Sequence, residues 1–238
     1  MAVDRPGAGL SSLHADGTLG DFAADAVALA DHLGIERWHV LAWSAGSLFA
    51  LALAAAHPSR VGRVAIAAGL VPFAAYAEPG ILDDADGGRA MVAELGAELG
   101  PAGLAEFAAP MLAPWPCDLD LAREHVLEHA DAARRQVLDA IPGALDVLAL
   151  GIVDAVAHGL DGLSRDLVLQ VAEPDVDLTS APGRVDLWYG GRDATAPPAF
   201  GRWWADRLPA ATLHILADEG HLLALTRWRE ILTALTGP

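Results

Sequence analysis

WHVLAWSAGSLFALALAAAHP, residues 38–58, decides how the rest of the chain is read. Its first part, residues 39–43, is a short apolar run carrying the β-branched Val40, long enough for a buried strand. Its last part, Ser47 to Ala56, is an apolar run of helix formers closed by Pro58. Ser44 stands between them, flanked two residues away on either side by Ala42 and Gly46. A strand that becomes a helix over so few residues needs a sharp, crowded bend. Small side chains at the flanking positions let strand and helix approach, and the serine projects from the tip. Such a bend aims the helix N-terminus, with its free backbone N–H groups and positive dipole end, at the serine hydroxyl. The pattern is a nucleophile elbow with Ala42 where glycine is more usual. The same residues also suit a plain helix cap, and this stretch alone leaves both readings open.

The flanking sequence alternates helix and strand. Thr18 and Asp21 have the spacing of a capping box, Phe22, Ala26, Leu29 and Leu33 recur at helical intervals, and Gly34 supplies a stop. A second apolar strand is expected over residues 61–70. Helix, strand, helix, strand implies a parallel sheet with helices on both faces. From about Pro72 to Ala172 the pattern becomes helical, over residues 88–99, 119–138 and 144–157, with Pro110, Pro114, Pro116 and Pro142 as breaks. After a return linker at 173–183 the alternation resumes. Residues 185–189 form a strand candidate that runs into Gly190-Gly191-Arg192-Asp193, and a helix is expected near 199–208. A strand at 212–216, a turn holding Gly220-His221 and an amphipathic C-terminal helix through Leu235 complete the chain. The expected organisation is therefore an α/β core over 1–71 and 184–238 with a helical insertion over 72–172. At the start, Met1-Ala2-Val3 reads as a strand end entering the Pro6/Gly7/Gly9 turn. A phosphate cradle is set aside there, since neither Lys-Ser/Thr nor G-x-G-x-x-G follows.

The composition narrows the function. The 238 residues are 53% hydrophobic, enough for a substantial core, and carry a formal charge of −17. That charge repels phosphate backbones and anionic lipid, which argues against nucleic-acid and membrane-surface roles. The single cysteine, Cys117, allows no intramolecular disulfide, suits a reducing compartment and is expected as a buried apolar side chain. No apolar signal core follows Met1, and the longest uncharged apolar run, residues 64–77, is too short to span a bilayer. A soluble, cytoplasmic protein is expected. No histidine, cysteine or carboxylate cluster has metal-ligand spacing, so neither metal nor cofactor is expected.

A serine hydroxyl needs a positioned base, best an imidazole oriented by a carboxylate. In a parallel sheet all strand C-terminal ends lie on one edge, where groups following different strands converge. Ser44, Asp193 and His221 each follow a strand and occur in the order nucleophile, acid, base. Asp186 lies inside a strand and Asp218 adjoins the histidine loop, so Asp193 is the better acid, although an aspartate after glycines also suits a cap of the next turn. His14, His39, His57 and His125 have no motif around them. Trp43, beside the serine, lines the cleft or fills the space behind it. Trp203, Trp204 and Trp228 read as helix packing residues.

Through DRPGAGLS (residues 4–11), AWSAG (42–46), YGGRD (189–193) and EGH (219–221), the chain resembles the α/β-hydrolase fold family in its serine-nucleophile branch. The match covers essentially everything outside the helical insertion, which corresponds to the family's variable cap. The resemblance implies Ser44 as nucleophile, His221 as general base, Asp193 as its orienting carboxylate and the Ala45 N–H as an oxyanion donor. A serine nucleophile argues against the dehalogenase and epoxide-hydrolase branches. It favours acyl transfer to water from a small ester, thioester or lactone, with perhydrolase and carbon–carbon hydrolase chemistry using the same triad. The cap decides which substrate fits, and Phe73, Tyr76, Phe107, Met111 and Trp115 suggest an apolar roof.

In the family DRPGAGLS follows a fourth strand, with a His-Gly oxyanion loop further upstream, whereas here three residues precede Asp4. The elbow strand is therefore expected at an exposed sheet edge, paired with the Met1–Val3 stub or, as a homodimer, with a second chain. Two readings follow: a serine hydrolase whose N-terminal part lies outside this chain, or a pared-down homologue acting as a binding or interaction protein.

Overall fold

The computed structural model describes residues 1–112 and 115–237, with the side chains of 105, 108, 109, 111 and 112 outside the description. Pro114 and the Met111 side chain, both named above, thus lie outside the described residues. In chain order the elements are α1 (Leu19–His32), β1 (Trp38–Trp43), α2 (Gly46–Ala56), β2 (Val61–Ala67) and α3 (Gly87–Leu112, broken at Gly100). Next come α4 (Leu119–Glu128), α5 (Ala132–Ala140), α6 (Ala144–Ala155) and α7 (Asp161–Val171). β3 (Val185–Gly190), α8 (Pro198–Ala205), β4 (Ala211–Leu216), α9 (Leu223–Thr226) and α10 (Trp228–Thr236) follow.

The chain divides into two units. The first joins Thr18–Glu94 to Gln170–Pro238 and holds the whole sheet, four parallel strands in the order β1-β2-β3-β4. Parallel neighbours cannot be joined by a hairpin, and α2 and α8 supply the crossovers that the alternating sequence calls for. Every residue of β3 is buried, whereas β1 and β4 are only partly so, as edge strands should be. α2 is buried from Ser47 through Ala54 and packs on β1 and β2, which explains its nearly all-apolar sequence. α1 begins with the expected capping box, Thr18 and Asp21 each satisfying the other's backbone N–H, and packs on α2 through an edge-on Phe22–Phe49 contact.

The second unit is helical, Met1–Gly17 together with Leu95–Leu169. Its composition differs from the expected boundaries at both ends, for reasons visible in the contacts. The opening turn bonds to the helices: Gly9 N–H donates to Asp154 O at 2.8 Å, Arg5 pairs with Asp166, and the Arg165 guanidinium donates to Gly17 O. Met1–Val3 is irregular and exposed and adds no strand, so β1 pairs with β2 alone and forms one edge of the described sheet. Residues 72–94 instead belong with the sheet. Tyr76 stacks on Phe200 at 5.7 Å, Trp203 Nε1 donates to Glu78, and Asp86 N–H donates to Ala194 O.

Two sequence expectations about burial need correction. Cys117 is exposed, because it lies in the irregular stretch ahead of α4 where no apolar face claims it. Trp228, expected to pack, is 51% exposed at the first position of α10. Phe107 is 47% exposed. Trp203 and Trp204 are buried as expected. No single helix among the described residues is long and apolar enough to cross a membrane.

Candidate active site

Ser44 sits directly after β1 with φ of 54°, a left-handed conformation that a residue with a Cβ adopts only under constraint. The constraint comes from β2. Ser44 N–H donates to Ala67 O at 3.0 Å, and Ser44 O accepts from Leu70 N–H at 3.3 Å and from Ser47 N–H at 3.0 Å. Ala42 and Gly46 face each other across the bend, and a Cβ added at Gly46 would lie 3.7 Å from that of Ala42, an ordinary contact. The bend thus tolerates an alanine at 46, which fits the alanine already present at 42.

The loop after β2 is braced from behind. Ser47 Oγ and Trp204 Nε1 both donate to Leu70 O, at 3.0 and 2.9 Å, and the Tyr189 hydroxyl donates to Gly69 O at 2.9 Å. Tyr189 is wholly buried. Burial, helped by the nearby Asp193 charge and opposed by the Gly69 bond, pushes its phenol far above the ordinary value.

The loops after β3 and β4 lie backbone against backbone. Arg192 N–H donates to Glu219 O, and Gly191 N–H to Leu216 O. A Cβ on Gly190 would stand 2.4 Å from Glu219 O, and one on Gly191 2.7 Å from Ala217 O, so only glycine permits this approach. It carries Asp193 to His221, whose Nδ1–H donates to Asp193 Oδ2 at 2.8 Å. A carboxylate only accepts, so the proton is on Nδ1 and Nε2 is left to accept from the Ser44 hydroxyl at 3.1 Å. Asp193, 4% exposed, is itself held: its Oδ1 accepts the backbone N–H groups of Thr195 and Ala196, both at 2.9 Å.

The structure therefore brings the three expected residues into one hydrogen-bonded run. The competing acids are engaged elsewhere, Asp218 with Arg192 and Asp186 with Arg184. The N–H of Ala45, at the N-terminus of α2, donates to no described group, and Ala45 has no side-chain cap to offer. Trp43, expected either to line the cleft or to fill the space behind it, also bonds to the histidine loop. Its Nε1–H donates to His221 O at 2.9 Å, and its ring lies 5.6 Å from the imidazole. Sequence reasoning missed this bond; the turn cap it left open for Asp193 is the Thr195/Ala196 clamp, and it coexists with the bond to His221. The clamp has a signal, since aspartate two residues before threonine after a glycine pair is the composition of an Asx turn.

Residues 1–97 match a family model described as the alpha/beta hydrolase fold. A pimeloyl-[acyl-carrier protein] methyl ester esterase of Chromobacterium violaceum is 32% identical over 98% of this chain and 80% of its own length. The chain belongs to the α/β-hydrolase fold family and is a hydrolase of that type. Solved structures agree on the fold. A bromoperoxidase from Bacillus anthracis superposes with a TM-score of 0.62 at 18% identity, over 98% of this chain and 78% of that one. An esterase from Exiguobacterium antarcticum gives 0.59 at 18% identity, over 98% of this chain and 78% of that one.

Proposed function

We propose that this chain hydrolyses a small carboxylic ester, thioester or lactone through an acyl-enzyme on Ser44. The observation that carries the reading is the continuous hydrogen-bonded run from Ser44 Oγ through His221 to Asp193, 3.1 and 2.8 Å long. His221 Nε2 takes the hydroxyl proton as Oγ adds to the acyl carbonyl. The developing oxyanion is met by the Ala45 N–H at the positive end of α2. Collapse expels the alcohol or thiol, which leaves with the proton held on Nε2. Water then repeats the sequence, His221 taking its proton and returning it to Ser44 as the acid departs. Asp193 keeps the imidazole in the tautomer with Nδ1 protonated, its own orientation fixed by Thr195 and Ala196. An acyl ester as substrate is supported by the Chromobacterium relative, whose name specifies a methyl ester.

The test is hydrolysis of p-nitrophenyl acetate and butyrate by the wild type and by Ser44→Ala. Turnover is expected from the wild type, with kcat/KM reduced by about a thousandfold or more in the variant. Equal rates from a correctly folded Ser44→Ala protein would overturn the reading.

A further inference from the structure

A cavity of about 550 Å³ is lined by Arg37, Trp38, His39, Gly62, Arg63, Gly183 and Arg184. These residues open β1, open β2 and immediately precede β3, so the cavity lies at the N-terminal end of the parallel strands. Ser44, Asp193 and His221 follow the opposite ends, and the cavity is no part of their site. Its lining has an unusual charge. The chain has 32 acidic residues and 15 basic ones, every basic one an arginine, yet three arginines and no carboxylate meet here.

The three arginines are not equivalent. Arg184 is neutralised by the fully buried Asp186: its NH2 group donates to Oδ1 at 3.1 Å, and its Nε lies 3.0 Å from Oδ2 without hydrogen-bond geometry. Arg63 spends one donor on the carbonyl of Ala234 at 3.1 Å and has no carboxylate partner among the described residues. No hydrogen bond or ion pair among the described residues engages the Arg37 guanidinium. Two guanidinium groups without a carboxylate partner among the described residues thus line one space, where an anion would interact with both.

The rest of the wall is built to leave room. Arg63 N–H donates to His39 Nδ1 at 2.9 Å, which leaves the neutral ring's proton on Nε2 as a further donor. That ring lies where a side chain at 62 would be, since a Cβ on Gly62 would stand 2.8 Å from its Cε1. Trp38 is held from outside by Arg60, whose guanidinium carbon is 5.2 Å from the ring centre. Guanidinium N–H donors, a ring N–H and an indole wall around a small-molecule-sized space match a doubly charged, multi-oxygen head on a compact body.

We infer that the cavity formed by Arg37, His39, Gly62 and Arg63 is an anion-binding site for a small phosphate monoester. Arg37 and Arg63 neutralise the phosphate, and the apolar part of the ligand rests against Trp38. The site is independent of Ser44 and stands whether or not the hydrolase reading does.

Isothermal titration calorimetry of the full chain with phenyl phosphate tests it, with inorganic phosphate and sodium acetate as comparison probes. Saturable binding of phenyl phosphate is expected, weaker for inorganic phosphate, weaker still for acetate, and falling as sodium chloride is raised. Arg37→Glu, an exposed change that breaks no described contact, should weaken phenyl phosphate by about tenfold or more, the size of one charge-assisted hydrogen bond. Arg63→Gln should do the same, and neither should alter ester hydrolysis. Absence of saturable binding, binding unchanged in a folded Arg37→Glu protein, or acetate binding as tightly as phenyl phosphate would each overturn the assignment.

Discussion

At the scale of single residues, Ser44, Asp193 and His221 were legible because a parallel sheet puts every strand's C-terminal end on one edge. Their positions followed from strand order alone, without side-chain detail. The role of Trp43 was not legible, since its partner is a backbone carbonyl in a loop 178 residues away in sequence. The exposure of Cys117 was hidden for a related reason: periodicity reports burial on helices and strands, and this residue is on neither. The Trp43 bond carries a prediction. Trp43→Phe retains an aromatic ring beside His221 but removes the donor to its carbonyl. The loss of one neutral hydrogen bond, about 0.5–1.5 kcal/mol, loosens the position of the imidazole. Steady-state kinetics on p-nitrophenyl butyrate should show kcat lowered by up to about tenfold with KM little changed. A raised KM at constant kcat would instead make Trp43 a substrate-binding residue.

Among the elements, strand and helix placement followed the hydrophobic period closely, except that the helix expected over 119–138 is broken into α4 and α5 where Asp131 caps a new start, and β2 was overextended by three residues. Residues 68–70 are apolar and read as strand, but Ala68 takes φ of 48° and the chain turns there. Three buried donors reach this turn from α2, β3 and α8, which a linear sequence does not announce. The elbow is therefore braced by the sheet rather than by its own small residues alone. Tyr189→Phe should test the brace. It leaves Gly69 O without its donor, and unfolding in urea should show a loss of about 1–3 kcal/mol. The wild type should also lose stability as pH rises past about 10. The folded phenol holds its proton above the pH at which the unfolded one releases it, so the unfolded state binds fewer protons there. Tyr189→Phe should lack that tyrosine's share of the alkaline loss, and an identical pH profile in the two proteins would contradict the assignment.

For the whole molecule, the division into a sheet unit and a helical unit was legible as a change of pattern, but its boundaries were not. Residues 1–17 carry a turn motif that looks like the exit of a strand, yet their polar groups are satisfied by α6 and α7. The β1 edge is open among the described residues. An open edge of partly buried apolar residues is a template for strand addition. Sedimentation equilibrium should therefore show a mass that rises with protein concentration, and a constant monomer mass would contradict self-association. Net charge of −17 opposes close approach of copies, so the association should strengthen with salt. The central claim, that Ser44 is activated by His221 and Asp193, is tested most directly by fluorophosphonate labelling followed by intact-mass and peptide mass spectrometry. One adduct is expected, mapped to Ser44 and absent from Ser44→Ala and His221→Ala. An adduct on another residue, or labelling that persists in folded Ser44→Ala protein, would contradict the account.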